Sequence, residues 1–165
     1  MFTVGDKVVY PMHGAGVIDN IETKVILGEE REYYIMKIPV TDIHIMIPVD
    51  NSEAIGMRSV VTEEVLQKAL KTLGEEPTAM SANWNKRYRA NQALLRSGDV
   101  FSVAEVVRNL TVSDRVKGLS TGERKMLLNA TRILASEVML VMGLEPEKAE
   151  ELIAGSITEE KGGGR

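Results

Sequence analysis

The sequence predicts an α+β chain of two domains: a small β domain over residues 1–60 and a compact all-α bundle over residues 83–156. Residues 61–82 carry a first helix and a linker between them, and residues 157–165 form a flexible tail. Three observations predict this. The apolar period changes from two to about 3.6 near residue 62. Turn signals interrupt the first sixty residues at short intervals, as in a small barrel or a strongly bent sheet. The charge is divided along the chain: residues 1–80 hold 7 Lys/Arg against 13 Asp/Glu, residues 81–135 hold 10 against 4, and residues 136–165 hold 3 against 7. The net charge of -4 therefore hides a basic middle block, and the local field decides what a surface attracts.

Lys7-Val8-Val9-Tyr10 reads as a short strand that ends at Pro11. Gly14 and Gly16 flank Ala15, which predicts a tight turn or bulge with positive φ. Residues 17–26 alternate loosely as a strand, residues 27–30 form a polar hairpin tip, and residues 32–38 return with Tyr34, Met36 and Ile38 on one face. A further strand over residues 43–47 stops at Pro48, and residues 55–58 read as a last short strand. Thr62 caps a helix whose first turn holds Glu63 and Glu64, favourable at the positive end of its dipole. Its apolar stripe is Leu66, Ala69, Leu70 and Leu73, and Gly74 stops it. After the linker, a helix over residues 83–96 ends before Ser97-Gly98. Asp99 caps the next, with Val103, Ala104, Val107 and Leu110 facing a core. Ser120-Thr121-Gly122-Glu123 is a capping box that opens a long helix ending at Gly143, with Leu127, Ala130, Ile133, Leu134, Val138 and Val141 inward. A short helix over residues 145–154 completes the bundle.

Aromatic residues make up 4% of the chain, so the core is built from aliphatic side chains, Met and Ala. The absence of cysteine excludes disulfides, thiolate zinc sites and a cysteine nucleophile, and agrees with a reducing cytosol. No run reaches the ~18 apolar residues of a membrane helix, and the N-terminus lacks the pattern of a signal peptide, so a cytoplasmic protein is expected. His13 and His44 fall in different β segments without metal-ligand spacing. Gly14-Ala15-Gly16 lacks the Gly-Lys-Ser/Thr ending and the following helix of a phosphate loop. The acidic pairs Glu29-Glu30, Glu63-Glu64 and Glu150-Glu151 sit at a tip or on helical surfaces. No enzyme, metal or cofactor is expected.

Ser81-Ala82-Asn83-Trp84-Asn85-Lys86-Arg87-Tyr88-Arg89 is the segment richest in chemistry. Trp84, Tyr88, Asn91 and Leu95 fall on one helical stripe. Spacing alone favours this stripe as core, with Trp84 as its anchor, because single tryptophans are usually largely buried. The alternative is an incompletely covered ring on the first turn. An apolar wedge flanked by Lys86, Arg87 and Arg89 is what a minor-groove binder uses, with the cations holding phosphates. Arg124 and Lys125, on the first turn of the long helix, extend the same patch.

Val4-Gly5-Asp6-Lys7-Val8-Val9-Tyr10-Pro11-Met12-His13-Gly14-Ala15-Gly16-Val17 resembles the opening of the CarD/CdnL family of bacterial RNA polymerase-binding transcription regulators. So do Asn83-Trp84-Asn85-Lys86-Arg87-Tyr88-Arg89-Ala90-Asn91, Ser97-Gly98-Asp99, Val103-Ala104-Glu105-Val106-Val107-Arg108-Asn109-Leu110, Gly118-Leu119-Ser120 and Gly122-Glu123-Arg124-Lys125-Met126-Leu127. The opening motif is shared with the transcription-repair coupling factor, and the helical half decides between the two.

The resemblance implies a Tudor-like (SH3-like) β-barrel that docks on the β1 lobe (protrusion) of the RNA polymerase β subunit, partly by strand pairing. It implies a helical domain that meets promoter DNA at the upstream edge of the transcription bubble, where a tryptophan wedge in the minor groove prolongs the open complex. Trp84 matches the wedge; Lys86, Arg87, Arg89 and Arg124 match basic positions near DNA, with Lys125 beside them. Lys24 and Ile26 match a strand pair at the polymerase interface. Lys24 stands where an arginine is common, which keeps charge but loses bidentate geometry. Met46 stands where another basic contact can occur. A monomer, nucleoid-associated through polymerase and free of membrane, is expected. The rival reading is a protein-protein adaptor that does not bind DNA directly.

Overall fold

In the computed structural model, which describes residues 1–39 and 41–157, an antiparallel sheet and a helical bundle are joined through one long helix. The sheet contains β1 (Lys7–Tyr10), β2 (Gly14–Ile26), β3 (Glu29–Ile38), β4 (Ile43–Pro48) and β5 (Arg58–Ser59), in the order β4-β3-β2-β1-β5. It is open, with β4 and β5 at its edges, so the pairing does not close into the barrel that the turn spacing allowed. Register explains which face is buried. Ile21 and Ile47 lie opposite Tyr34, and Ile18 and Ile45 lie opposite Met36. Period-two alternation thus places these side chains, with Ile38, on the inner face around Val8. Lys24, Ile26 and Met46 fall on the other face. A register shift between Ile18 and Asn20 bends β2.

Two expectations need correction. The hairpin tip is two residues, Leu27 (φ 53) and Gly28 (φ 77), and Glu29 and Glu30 already belong to β3. Two successive left-handed residues match the twist of the flanking strands. Residues 55–58 are not one strand: α1 (Ser52–Ile55) follows a 3-10 turn (Val49–Asn51), and β5 is only Arg58–Ser59. Gly56 (φ 92) closes α1 by donating its amide to the Glu53 carbonyl, while Ile55 and Met57 pack under the sheet.

The helices are α2 (Glu63–Thr72), α3 (Trp84–Arg96), α4 (Val100–Lys117), α5 (Thr121–Met142) and α6 (Pro146–Ser156). Their starts follow the sequence signals. Thr62 accepts from the Val65 amide, Asp99 from Ser102 and Ser120 from Glu123. The stripe Leu66, Ala69, Leu70 and Leu73 is buried, each leucine worth about 1.5–3 kcal/mol of transfer. No single helix among the described residues is long and apolar enough to cross a membrane. The tail lies, from residue 158 on, outside the described residues.

The joint between sheet and bundle lies on α5. Ala15 N donates to Ser136 Oγ at 2.7 Å. Glu137, buried, accepts from Arg58 Nη1 (2.8 Å) and Nη2 (2.9 Å) and from the Val61 amide (2.9 Å). Lys7 Nζ donates to the Leu140 carbonyl at 3.2 Å. Gly14 is required at this joint twice over: its φ is +113°, and a Cβ there would stand 2.8 Å from Ser136 Oγ. Gly16, by contrast, has ordinary φ; a Cβ would meet the Lys37 carbonyl oxygen, so close strand approach selects it. The positive φ in the preceding turn belongs to Met12 (φ 75), whose side chain packs against the helical core.

Candidate nucleic-acid interface

Asn83 starts α3 by accepting from the Lys86 amide at 3.0 Å, which puts Trp84 at the first helical position. No earlier turn of helix exists to cover its ring. The ring stacks on Tyr88 (centroids 4.8 Å, interplanar angle 15°) and lies over Gly122 at the start of α5. Its Nε1–H donates to Ser120 Oγ at 2.9 Å. Trp84 keeps 40% of its surface exposed, whereas Asn91 and Leu95 further along the stripe are buried. The stripe therefore grades from solvent to core, and the expectation from spacing that Trp84 anchors the core is corrected: only its far half does so.

Ser120 connects the ring to a buried ion pair. Its hydroxyl donates to Glu123 Oε1 (3.2 Å) and accepts from the Glu123 amide (3.2 Å). Glu123 in turn accepts from Arg87 Nε (2.7 Å) and Nη2 (3.4 Å). Arg87 Nη1 also reaches the carbonyls of Ser81 (2.9 Å) and Ala82 (3.4 Å). The Arg87 hydrogen bond, against the opposing effect of burial, holds the Glu123 carboxyl below its ordinary value; the backbone of Ser120 adds to this and completes the capping box. The same bond raises Arg87. Arg87 is thus half buried and engaged by Glu123, unlike its neighbours Lys86 and Arg89.

Lys86, Arg89, Arg124 and Lys125 are exposed and have no ion-pair partner among the described residues. The structure brings all four to the end of the bundle where α3 and α5 begin. Lys24, Ile26 and Met46 lie apart, on the outer face of the sheet. Lys24 pairs with Glu22 at 3.3 Å; Ile26 and Met46 are 45% and 43% exposed. Beyond Val17, β2 has no β1 partner, so its outer margin from residue 20 onward is an unpaired strand edge among the described residues. His13 stacks on Tyr10 and His44 faces Asp19 at 3.5 Å. No group of three His, Asp or Glu able to hold a metal occurs among the described residues.

Sequence reasoning located Trp84, its cations and the capping box. It missed the pair Arg87–Glu123 and the bond from Trp84 to Ser120, both spanning 36 residues. It also missed Glu137 and Arg58, since nothing local marks a glutamate in a long helix as buried.

The chain thus joins a strand module with an open edge to a helical module that presents an exposed tryptophan among cations without ion-pair partners among the described residues. Residues 2–61 match the CarD-like/TRCF RID domain, and residues 68–154 match the CarD, C-terminal domain. The candidate transcription factor YdeB of Bacillus subtilis (strain 168) is 34% identical over 144 residues, which covers 87% of this chain and 94% of that relative. The chain belongs to the CarD/CdnL family.

Proposed function

We propose that this protein is a non-enzymatic transcription regulator that binds RNA polymerase through its sheet and promoter DNA through its bundle. The sheet, as a Tudor-like module, docks on the β1 lobe (protrusion) of the polymerase β subunit. The unpaired edge of β2 near Lys24 and Ile26 supports strand pairing as the mode. Met46, two strands away on β4 but on the same face, adds apolar area to that face instead of charge. The bundle meets the upstream edge of the promoter bubble, with Trp84 wedged in the minor groove and Lys86, Arg89, Arg124 and Lys125 on phosphates. Arg87 holds the site together through Glu123. The protein acts in the cytoplasm, at the nucleoid through polymerase, as a monomer and without cofactor.

The observation that carries this reading is the half-exposed Trp84, fixed by a stack and a hydrogen bond and near Lys86, Arg89, Arg124 and Lys125, which have no ion-pair partner among the described residues. A ligand that binds the open promoter better than the closed one stabilises it by the difference in affinity. About 1.4 kcal/mol shifts the ratio tenfold, and a wedge with a few phosphate contacts supplies that without chemistry. The polymerase provides location, so weak and mostly sequence-neutral DNA binding is sufficient.

The test is the lifetime of an open complex formed by the cognate polymerase on a ribosomal RNA promoter. The wild type lengthens it, and Trp84→Ala, still folded, loses most of the gain. No effect of the wild type, together with no salt-dependent binding to a forked duplex, would leave a protein-protein adaptor in its place.

A further inference from the structure

The cations identified so far crowd the start of α3 and α5, but the two helices continue side by side beyond them. Trp84 meets Ser120 and Gly122, and a cleft of about 160 Å³ follows, walled by Tyr88 and Gln92 of α3 and by Lys125 and Asn129 of α5. The helices therefore run in the same direction, and the cleft leads from the tryptophan toward Met12 at the joint with the sheet. Two stripes border it. On α3, Arg89 and Arg96 are seven residues apart and both exposed; on α5, Lys125 and Arg132 have the same spacing and are both exposed. Seven residues are two turns, so each stripe carries its pair about 10 Å apart on one side of its helix. Neither Arg96 nor Arg132 has an ion-pair partner among the described residues. No Asp or Glu occurs in residues 83–98 or 124–135, so nothing on these stretches offsets the four charges.

We infer that the α3–α5 cleft is a second, outer part of the DNA surface, with Arg96 and Arg132 as phosphate contacts on the duplex upstream of the tryptophan. This rests on the DNA-binding reading above. Duplex DNA carries one charge per about 1.7 Å of axis, so a tract of about 10 Å passes some six phosphates, or three base pairs. Two cationic stripes with a polar floor of Gln92 and Asn129 suit a sequence-neutral backbone path. Such a path orients the duplex so that the wedge meets the fork squarely.

The experiment measures binding of a fluorescent duplex, forked at one end, to the full chain by anisotropy between 50 and 200 mM salt. Wild type, Trp84→Ala, Arg96→Gln/Arg132→Gln and Arg96→Lys/Arg132→Lys are compared. Each lost phosphate contact lowers the slope of log K against log salt by about 0.9, so the Gln pair lowers it by about 2. Over this fourfold range the wild type then loses about tenfold more affinity than the Gln pair. The Lys pair restores the wild-type slope, and Trp84→Ala weakens binding without changing the slope. A Gln pair with the wild-type slope overturns the outer path and leaves the wedge standing. Wild type with no salt-dependent binding overturns both.

Discussion

At Ser120 a single hydroxyl accepts from the Trp84 ring and from the Glu123 amide and donates to the Glu123 carboxylate. An N-cap ordinarily satisfies one orphan amide; this one also fixes the orientation of an exposed aromatic side chain. Ser120→Ala removes both functions. The lost cap costs about 1 kcal/mol, and the tryptophan loses its only hydrogen bond to protein among the described residues. The expected result is a small drop in melting temperature with a red-shifted, more mobile Trp84 fluorescence, and a shorter open complex although Trp84 is still present. Unchanged fluorescence anisotropy would show that the Tyr88 stack alone holds the ring. Glu123 adds a pH dependence whose sign is fixed by its depressed titration. Its contribution to stability is complete above the ordinary value of 4.5 and is lost as pH falls through the lower, folded value. Acid thus weakens the wild type below about pH 4.5, and Glu123→Gln flattens that limb of the stability curve. At neutral pH that variant leaves Arg87 without its carboxylate, at a cost of about 3 kcal/mol. Urea midpoints at neutral pH and at pH 4 measure both effects.

Among the elements, those whose cause is local were legible in the sequence. The caps at Thr62, Asp99 and Ser120 announce helices because a side-chain oxygen three residues before a free amide is a local event. The stripe of α2 was legible for the same reason. What stayed illegible depends on distant partners. The short helix Ser52–Ile55 was not foreseen, and its last residue was read into a strand over residues 55–58, because four residues carry no period. The sheet remains open because β5 is two residues long and, among the described residues, pairs only with β1, which no composition reveals. Trp84 was half legible: its stripe was right, but the degree of cover depends on where α5 begins. The glycine pair near residue 15 was legible as backbone necessity, yet its reasons differ. Gly14 answers to Ser136 across 122 residues, and Gly16 to the neighbouring strand. Gly14→Ala therefore strains both the backbone and the joint, and a loss of about 2 kcal/mol or more is expected; Gly16→Ala displaces β3 from β2 and unfolds the sheet. Thermal unfolding followed by far-UV circular dichroism separates the two.

Across the whole molecule, α5 is the member that both modules share. Glu123 supports the tryptophan site and Glu137 closes the joint with the sheet, 14 residues or about 21 Å apart on one continuous helix. Under the proposed function, a docked sheet would dictate where Trp84 stands, provided the joint is rigid. Two arrangements are distinguishable. If the modules act as a loose tether, the polymerase merely raises the effective concentration of the bundle near DNA, and the joint is dispensable. If the rod sets orientation, the wedge works only with Glu137 in place. Glu137→Gln keeps shape but removes the charge that grips Arg58 Nη1 and Nη2 and weakens acceptance from Val61. Under the rod arrangement this variant, assayed well below its melting temperature, binds polymerase and forked DNA separately as the wild type does. It nevertheless prolongs the open complex much less, because the energy of holding the bundle in register is lost from the assembled state alone. Under the tether arrangement its open-complex lifetime equals that of the wild type. The packing favours the rod: Ser136, Glu137 and the Leu140 carbonyl bond to three separate segments of the sheet module, and Gly14 admits no larger side chain between them. A lifetime gain that survives Glu137→Gln intact would overturn that assignment and leave α5 as a shared scaffold without a coupling role.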